Sequence, residues 1–274
     1  MDNNKIGNFL TLTSLNNPLI KKIKKLIKKN SKKNDDDFVA EGEFYLNEAI
    51  LNKWVVSDLL CNVKFKDFFC KTKICKNLKR MDANIYFTDY KIFKNVLKKD
   101  NPGNFLFVMK KKENFIPKIK KKNYLSIVLE NLKDPGNIGT IFRTAESFGI
   151  NHCFLLGETA NPYSIEVIRA SAGSIFTLSF SFISNNGINN WFEKNNVNVI
   201  GTSPKSNLSH EDFLWKAPLS LVIGNEQLGL TDFLKSKCSH ILKISTKGKT
   251  NSLNVAIASG IFMESINRKF PISS

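Results

Sequence analysis

A chain of 274 residues with 42% hydrophobic and 24% charged residues is too apolar to be disordered as a whole, and its length suits two compact domains better than one. No apolar run approaches the roughly 18 residues that a membrane helix needs, and the opening MDNNKIGNFLTL lacks a charged-then-apolar signal pattern, so a soluble cytoplasmic protein is expected. The net charge of +17 is unevenly placed: residues 1–122 hold 28 Lys+Arg against 13 Asp+Glu, and residues 123–274 hold 13 against 11. An excess of that size implies a polyanionic partner, nucleic acid first, through counterion release from phosphates. The plainer alternative is a lysine-rich coding bias, but that should load both halves equally. The five cysteines (61, 70, 75, 153, 238) and three histidines (152, 210, 240) show no metal-ligand spacing, so no metal is expected.

In chain order, Asn17-Pro18 predicts a capped helix start, with Leu19, Ile20, Ile23, Leu26 and Ile27 on one face and lysines elsewhere to about Asn30. A membrane-surface helix is the alternative; without an aromatic anchor, a helix docked on its own domain with lysines facing phosphate is preferred. SKKNDDD (31–37) reads as a loop. Strands are expected at 38–42, 54–61, 84–89 and 104–110, with helices at 43–52 and 90–99, giving a small α/β domain over residues 1–110. KKKENFIPKIKKKN (110–123), with seven lysines and a proline, reads as a linker over 111–123.

From Tyr124 to Ser274 the texture changes. YLSIVLEN (124–131), HCFLLG (152–157), FTLSFSF (176–182), NVNVIGTS (196–203), LSLVIGNE (219–226) and HILKIS (240–245) are short apolar runs, mostly separated by helical patterns. That predicts a parallel sheet covered on both faces, with a ligand site outside the carboxyl ends of its strands.

Three of those ends carry unusual residues. In DPGNIGTIFRT, Pro135 and Gly136 make a turn, free N–H groups at the helix start can hold an anion, and Thr140, Arg143 and Thr144 share a helix face. An ordinary capped helix with a surface Arg143–Glu146 pair is the alternative. Against it, lysine is this chain's default cation, and arginine is needed where a planar fork must grip phosphate or carboxylate. A dinucleotide fingerprint is absent, because GNIG lacks the G-x-G-x-x-G spacing and no acidic residue ends the second run. In IGNEQLGL, Glu226 sits between glycines at a strand end. In TNSLNVAIASGIFMESI, Ser252 or Asn251 can cap a long helix. Each is unremarkable alone, as a glycine-rich turn or a terminal helix. Together they converge on one end of one sheet.

NLKDPGNIGTIFRTAESFG, LVIGNEQLGL and ISTKGKTNSLNVAIA resemble, in order and spacing, the three motifs of the SpoU (TrmH-like) branch of the SPOUT RNA methyltransferases, and IRASAGSIF (168–176) resembles the segment between the first two. SLNNPLIKKIKKLIKKN and FVAEGEFYLNEAI are similar to that family's ribosomal-protein-like substrate-binding domain. The resemblance implies a C-terminal domain with a deep trefoil knot, a homodimer, S-adenosylmethionine as donor, and methylation of a ribose 2′-hydroxyl in RNA. Carried over by position, Asn137, Arg143, Glu226, Ser252 and Asn254 form the catalytic set. Thr202, Ile223, Gly224, Ile244 and Leu253 hold the donor through backbone. The chain departs from the pattern at Ile244-Ser245-Thr246, where Ile-Pro-Met is usual, at Gln227, where glycine is common, and at Asn251, where an acidic residue often sits. The separate basic N-terminal domain favours ribosomal over transfer RNA. A non-catalytic RNA-binding or ribosome-assembly protein is the alternative, and the intact Asn137, Arg143 and Ser252-Leu253-Asn254 weigh against it.

Overall fold

The computed structural model describes residues 9–28, 35–248 and 252–270. The expected extension of the first helix to Asn30, most of the 31–37 loop, and Asn251 as a cap or an altered motif position lie outside the described residues. The chain forms two compact units.

The first unit comprises residues 1–112 and 161–176. Its five-stranded mixed sheet has the order β1-β4-β3-β5-β2, from β1 (Phe9–Leu12), β2 (Asp37–Glu41), β3 (Val56–Asn62), β4 (Asn84–Thr88) and β5 (Phe105–Lys110). The β1, β4 and β3 strands run parallel, and β5 is antiparallel to both β3 and β2. The first helix, α1 (Pro18–Lys28), starts as its sequence dictates: the Asn17 carboxamide oxygen accepts the Leu19 N–H at 2.9 Å, and Pro18 takes the first helical position. Ile20, Ile23 and Leu26 are buried on its inner face. The helices α2 (Glu43–Leu51) and α5 (Tyr90–Leu97) also match the expected spans, shortened at their ends. Two helices were not anticipated, α3 (Lys66–Cys70) and α4 (Lys73–Arg80), the latter capped by Thr72, which accepts the Cys75 N–H at 3.2 Å.

Residues 161–176 supply α7 (Ile165–Ala170) and a 3₁₀ turn at Ser174–Phe176. Arg169 and Lys99 both reach the buried carboxylate of Glu41, which also accepts the Gly103 N–H at 2.7 Å. The Trp54 indole donates to the Phe176 carbonyl at 3.0 Å. This turn corrects the expected strand at 176–182. Phe176 is buried in the first unit, and the strand, β8, begins only at Phe180 (Phe180–Ile183).

The second unit holds a seven-stranded, all-parallel sheet of order β10-β12-β9-β11-β6-β7-β8. Its remaining strands are β6 (Leu125–Glu130), β7 (His152–Leu156), β9 (Asn198–Thr202), the unanticipated β10 (Leu208–Ser209), β11 (Leu219–Ile223) and β12 (His240–Lys243). The helices are α6 (Pro135–Ser147), α8 (Asn185–Lys194), α9 (Asp232–Lys237) and α10 (Val255–Lys269). Every residue of β6, β7 and β11 is buried, the pattern expected of strands covered on both faces. Residues 111–123 carry neither helix nor strand, yet Asn114 exchanges two hydrogen bonds with the Phe182 backbone and the Trp191 indole donates to the Pro117 carbonyl at 2.7 Å. Among the described residues no helix is long and apolar enough to cross a membrane, and no cluster of His, Cys, Asp or Glu could hold a metal ion.

Candidate active site

The carboxyl ends of β12, β9, β11 and β6 are neighbours in the second sheet, and the three unusual loops leave from β6, β11 and β12. After β6, Asn131 takes a left-handed conformation (φ 54°), and its side chain accepts the Glu158 N–H at 2.8 Å. Asp134 then caps α6 by accepting the Asn137 N–H at 2.7 Å, with Pro135 in the first turn. One of the N–H groups expected to be free for an anion is therefore spent on the cap.

After β11 the chain doubles back at once. Asn225 and Gly229 exchange backbone hydrogen bonds of 3.1 and 2.9 Å, and the Asn225 side chain accepts the N–H groups of Gln227 and Leu228. The same side chain donates to the Asn131 carbonyl at 2.8 Å, tying this turn to the first loop. Gly224 is required here: a Cβ on it would stand 2.4 Å from the Gly229 carbonyl carbon and 2.5 Å from the Leu230 nitrogen. The buried Glu130, at the end of β6, accepts from both the N–H and the hydroxyl of Thr231, at 2.9 and 2.6 Å, and Thr231 caps α9. Sequence reasoning missed this pairing. Its one local signal is an acidic residue closing an otherwise apolar strand.

After β12, residues 249–251 lie outside the described segment, and the chain resumes at Ser252. Asn254, not Ser252, caps α10: its side-chain oxygen accepts the N–H groups of Ala256 and Ile257 at 2.9 and 3.3 Å. Two residues separate Ser252 from the first helical residue, so its hydroxyl is out of capping register.

Three of the expected residues meet. The Asn254 carboxamide donates to the Asn137 carboxamide oxygen at 3.0 Å, and the Asn137 carboxamide donates to Glu226 at 3.2 Å. The direction of this chain is forced. An ionised Glu226 can only accept, so Asn137 must offer it the NH₂ and turn its oxygen to Asn254. Asn254 must then donate, which leaves its own oxygen for the two helix N–H groups. The Asn225 carboxamide also approaches Glu226, at 3.3 Å.

Arg143 does not join this chain. It lies six residues beyond Asn137, on a face of α6 about 120° away, is exposed, and has neither ion pair nor hydrogen bond from its side chain among the described residues. The Arg143–Glu146 pair allowed by the sequence does not form. Ser252 is exposed beside Leu253, which is 37% exposed. Thr202 and Ile244 are half-buried at the ends of β9 and β12, and Ile223 and Gly224 are buried at the end of β11. The Thr202 hydroxyl donates to the Val222 carbonyl at 3.2 Å, so its side chain is committed to the neighbouring strand.

The profile of the SpoU rRNA Methylase family matches residues 124–264, and that of the MRM3-like substrate binding domain matches residues 17–106. The chain belongs to the SpoU rRNA methylase family. It is 25% identical over 252 residues to the 23S rRNA (guanosine(2553)-2′-O)-methyltransferase RlmP of Bacillus subtilis, covering 92% of this chain and 97% of that one. Among solved structures it resembles an AdoMet-bound rRNA methyltransferase from Sinorhizobium meliloti, with a TM-score of 0.87, 26% identity, and coverage of 98% of this chain and 100% of the other. It shares its fold, at a TM-score of 0.81 and 22% identity over 94% of this chain and 100% of the other, with the SpoU methyltransferase AviRb from Streptomyces viridochromogenes.

Proposed function

We propose that this chain transfers a methyl group from S-adenosylmethionine to a ribose 2′-hydroxyl of RNA, ribosomal RNA before transfer RNA, at the loops after β6, β11 and β12. The observation that carries the reading to this site is the directional chain Asn254→Asn137→Glu226, which joins one side chain from each loop. Membership of the SpoU family and the full-length likeness to RlmP support the reaction and the ribosomal substrate.

The residues present suit the donor. The ends of β9, β11 and β12, at Thr202, Ile223, Gly224 and Ile244, form a ledge of backbone and apolar groups, and the tight 224–229 turn leaves no space for a side chain at Gly224. Leu253, beside Asn254 in the chain, offers exposed apolar surface, and Glu226 is a carboxylate suited to a sulfonium cation. Bound there, S-adenosylmethionine supplies an electrophilic methyl group on positively charged sulfur.

The chain's own task is orientation. Asn137 and Asn254 lock each other and Glu226, and Ser252 is free to turn its hydroxyl towards the ribose or its phosphate. Arg143 would grip an RNA phosphate through its planar fork, and that phosphate would take the hydroxyl proton as the methyl passes from the donor's sulfur to the ribose oxygen, the S–CH₃ bond breaking and the donor leaving as a neutral thioether. Holding the two reactants in line contributes on the order of 7–11 kcal/mol towards the barrier.

In this reading residues 1–110 bind the RNA, 111–123 form a Lys-rich linker and 124–274 carry the chemistry, with 161–176 folded into the first unit. The enzyme works in the cytoplasm as a homodimer with a trefoil-knotted C-terminal domain. The apolar exposure of Leu228 (87%) and Ile257 (59%) supports a partner copy, and the non-sequential order β12-β9-β11-β6 supports the knot.

The test is transfer of labelled methyl from S-adenosylmethionine to unmodified total RNA, with Arg143→Ala as control. Label in ribosomal RNA, lost in the variant, is expected. Label only in transfer RNA overturns the substrate class, and no label from folded, RNA-binding protein overturns the enzyme.

A further inference from the structure

Residues 62–80 of the first unit combine two features. They carry seven lysines or arginines and one acid, Asp67. None of the seven cations forms an ion pair among the described residues. The same stretch exposes two aromatic rings one helical turn apart, Phe68 at 61% and Phe65 at 36%.

The local packing explains the exposure. Phe69 is the anchor of α3, buried with its ring 6.3 Å from Phe87 and 5.7 Å from Phe105. Fixing Phe69 inward turns Phe68 out. On α4, Cys75 and Leu78 face the core, so Lys73, Lys76 and Arg80, spaced i, i+3 and i+7, form an exposed cationic stripe. The α1 lysines are a poorer candidate for the same task. Lys22 pairs with Asp37 at 2.7 Å, and Lys24 donates to Asn95 at 2.7 Å.

Exposed aromatic rings flanked by uncompensated cations are the recognition chemistry of unpaired nucleotides, in which bases stack on rings and phosphates follow the charges. A duplex hides its base faces, so it could use only the cations. We propose that the α3–α4 surface is a platform for single-stranded RNA, with Phe65 and Phe68 stacking bases and Lys71, Lys73, Lys76 and Arg80 tracking the backbone. This rests on the RNA methyltransferase reading and adds that the segment held by the first unit is unpaired.

The experiment uses the full chain and fluorescence anisotropy over a potassium chloride series. The probes are a labelled mixed-sequence single strand of about 12 nucleotides and the duplex of the same length. The single strand is expected to bind more tightly. Phe65→Ala/Phe68→Ala should weaken it about tenfold or more per stacked base, leaving its salt slope and the duplex affinity unchanged. Lys73→Gln/Lys76→Gln/Arg80→Gln should flatten the salt slope by about 0.7 per lost phosphate contact. Unchanged single-strand affinity in the phenylalanine variant, or an equal loss for the duplex, overturns the platform. Methyl transfer to total RNA by the same preparations separates the two readings. Transfer by the wild type, with an unaltered KM for RNA in the phenylalanine variant, removes the platform and keeps the enzyme. Absence of transfer by the wild type, with single-strand binding lost in the variant, does the reverse.

Discussion

Asn254 has two tasks that substitution can separate. Its oxygen caps α10 through Ala256 and Ile257, and its NH₂ group holds Asn137, which in turn holds Glu226. Aspartate keeps the first task and loses the second, because it is an equally good cap but offers no donor. Asn137 would then sit between two carboxylates, and its single NH₂ could not serve both as the oxygen turned towards one of them. Alanine loses both tasks. Asn254→Ala is expected to cost about 1 kcal/mol of stability from the lost cap, a fall of about 2–4 °C in the melting temperature of a unit this size. Asn254→Asp should melt within a degree or so of the wild type, or slightly above it, since a negative charge at a helix start is favourable. Both should lose methyl transfer, by about tenfold or more in kcat, the worth of one positioning hydrogen bond. Thermal melts and single-turnover methyl transfer on the same preparations read both quantities. Wild-type activity in Asn254→Asp would refute the directional chain. An unchanged melting temperature in Asn254→Ala would refute the cap.

Other expectations follow from the same contacts. Arg143 is exposed and unpartnered among the described residues, so Arg143→Ala should change stability by no more than about 0.5 kcal/mol while removing methyl transfer, and Arg143→Lys should recover little of it because a lysine cannot present a planar fork; melts and initial rates decide. Gly224→Ala drives a methyl group into the Gly229 backbone, so it should lower the denaturation midpoint markedly and abolish S-adenosylmethionine binding by calorimetry. His152 is buried between the Ser179 and Ser181 hydroxyls, at 2.9 and 2.8 Å, and desolvation holds its pKa down at about 4. The unfolded chain takes up that proton near pH 6.5 and the folded chain does not, so this residue's contribution is complete above pH 6.5 and lost as the pH falls towards 4. The loss is about 3 kcal/mol, and urea titrations at pH 7 and 4.5 should show it as a component missing from His152→Gln.

The parts of this molecule that could be read from the sequence are those whose causes are local. The fully buried β6, β7 and β11 appear as mostly apolar runs, whereas Pro135 and Gly136, expected to make a turn before the helix, are the first residues of α6, with Asp134 as its cap. The α3 helix went unread because it is a five-residue segment, KDFFC, too short to show a helical period, and α4 because lysine and arginine make up half of it. Thr72 followed by Ile74, Cys75 and Leu78 is nevertheless a capped amphipathic signal. No local signal could have separated 161–176 from the second sheet. What holds Phe176 is a hydrogen bond from Trp54, 122 residues earlier, and what holds Arg169 is Glu41, 128 residues earlier. The cap of α10, expected at Ser252 or Asn251, falls at Asn254 for a subtler reason. Serine and asparagine both cap well, and only the backbone geometry at Asn254, with its oxygen turned to Ala256, decides between them.

The identity of the three meeting residues and the absence of Arg143 from their chain bear on how the reaction is divided. A carboxylate and two carboxamides locked to one another at 3.0–3.2 Å are poorly placed to move through a proton-transfer cycle and well placed to stay still. No histidine lies among them. His152 opens β7, at the opposite end of that strand from the loops, and His210 is held by Ser265 at 2.8 Å. The only side chain of the set that stands clear of its neighbours with a charge to offer is Arg143, and it cannot act as a base while it carries that charge. The division that fits is therefore spatial. On the function proposed above, the loops hold donor and ribose in line, Arg143, unpartnered among the described residues, holds the phosphate that accepts the proton, and the catalytic power comes from alignment more than from any tuned acid or base.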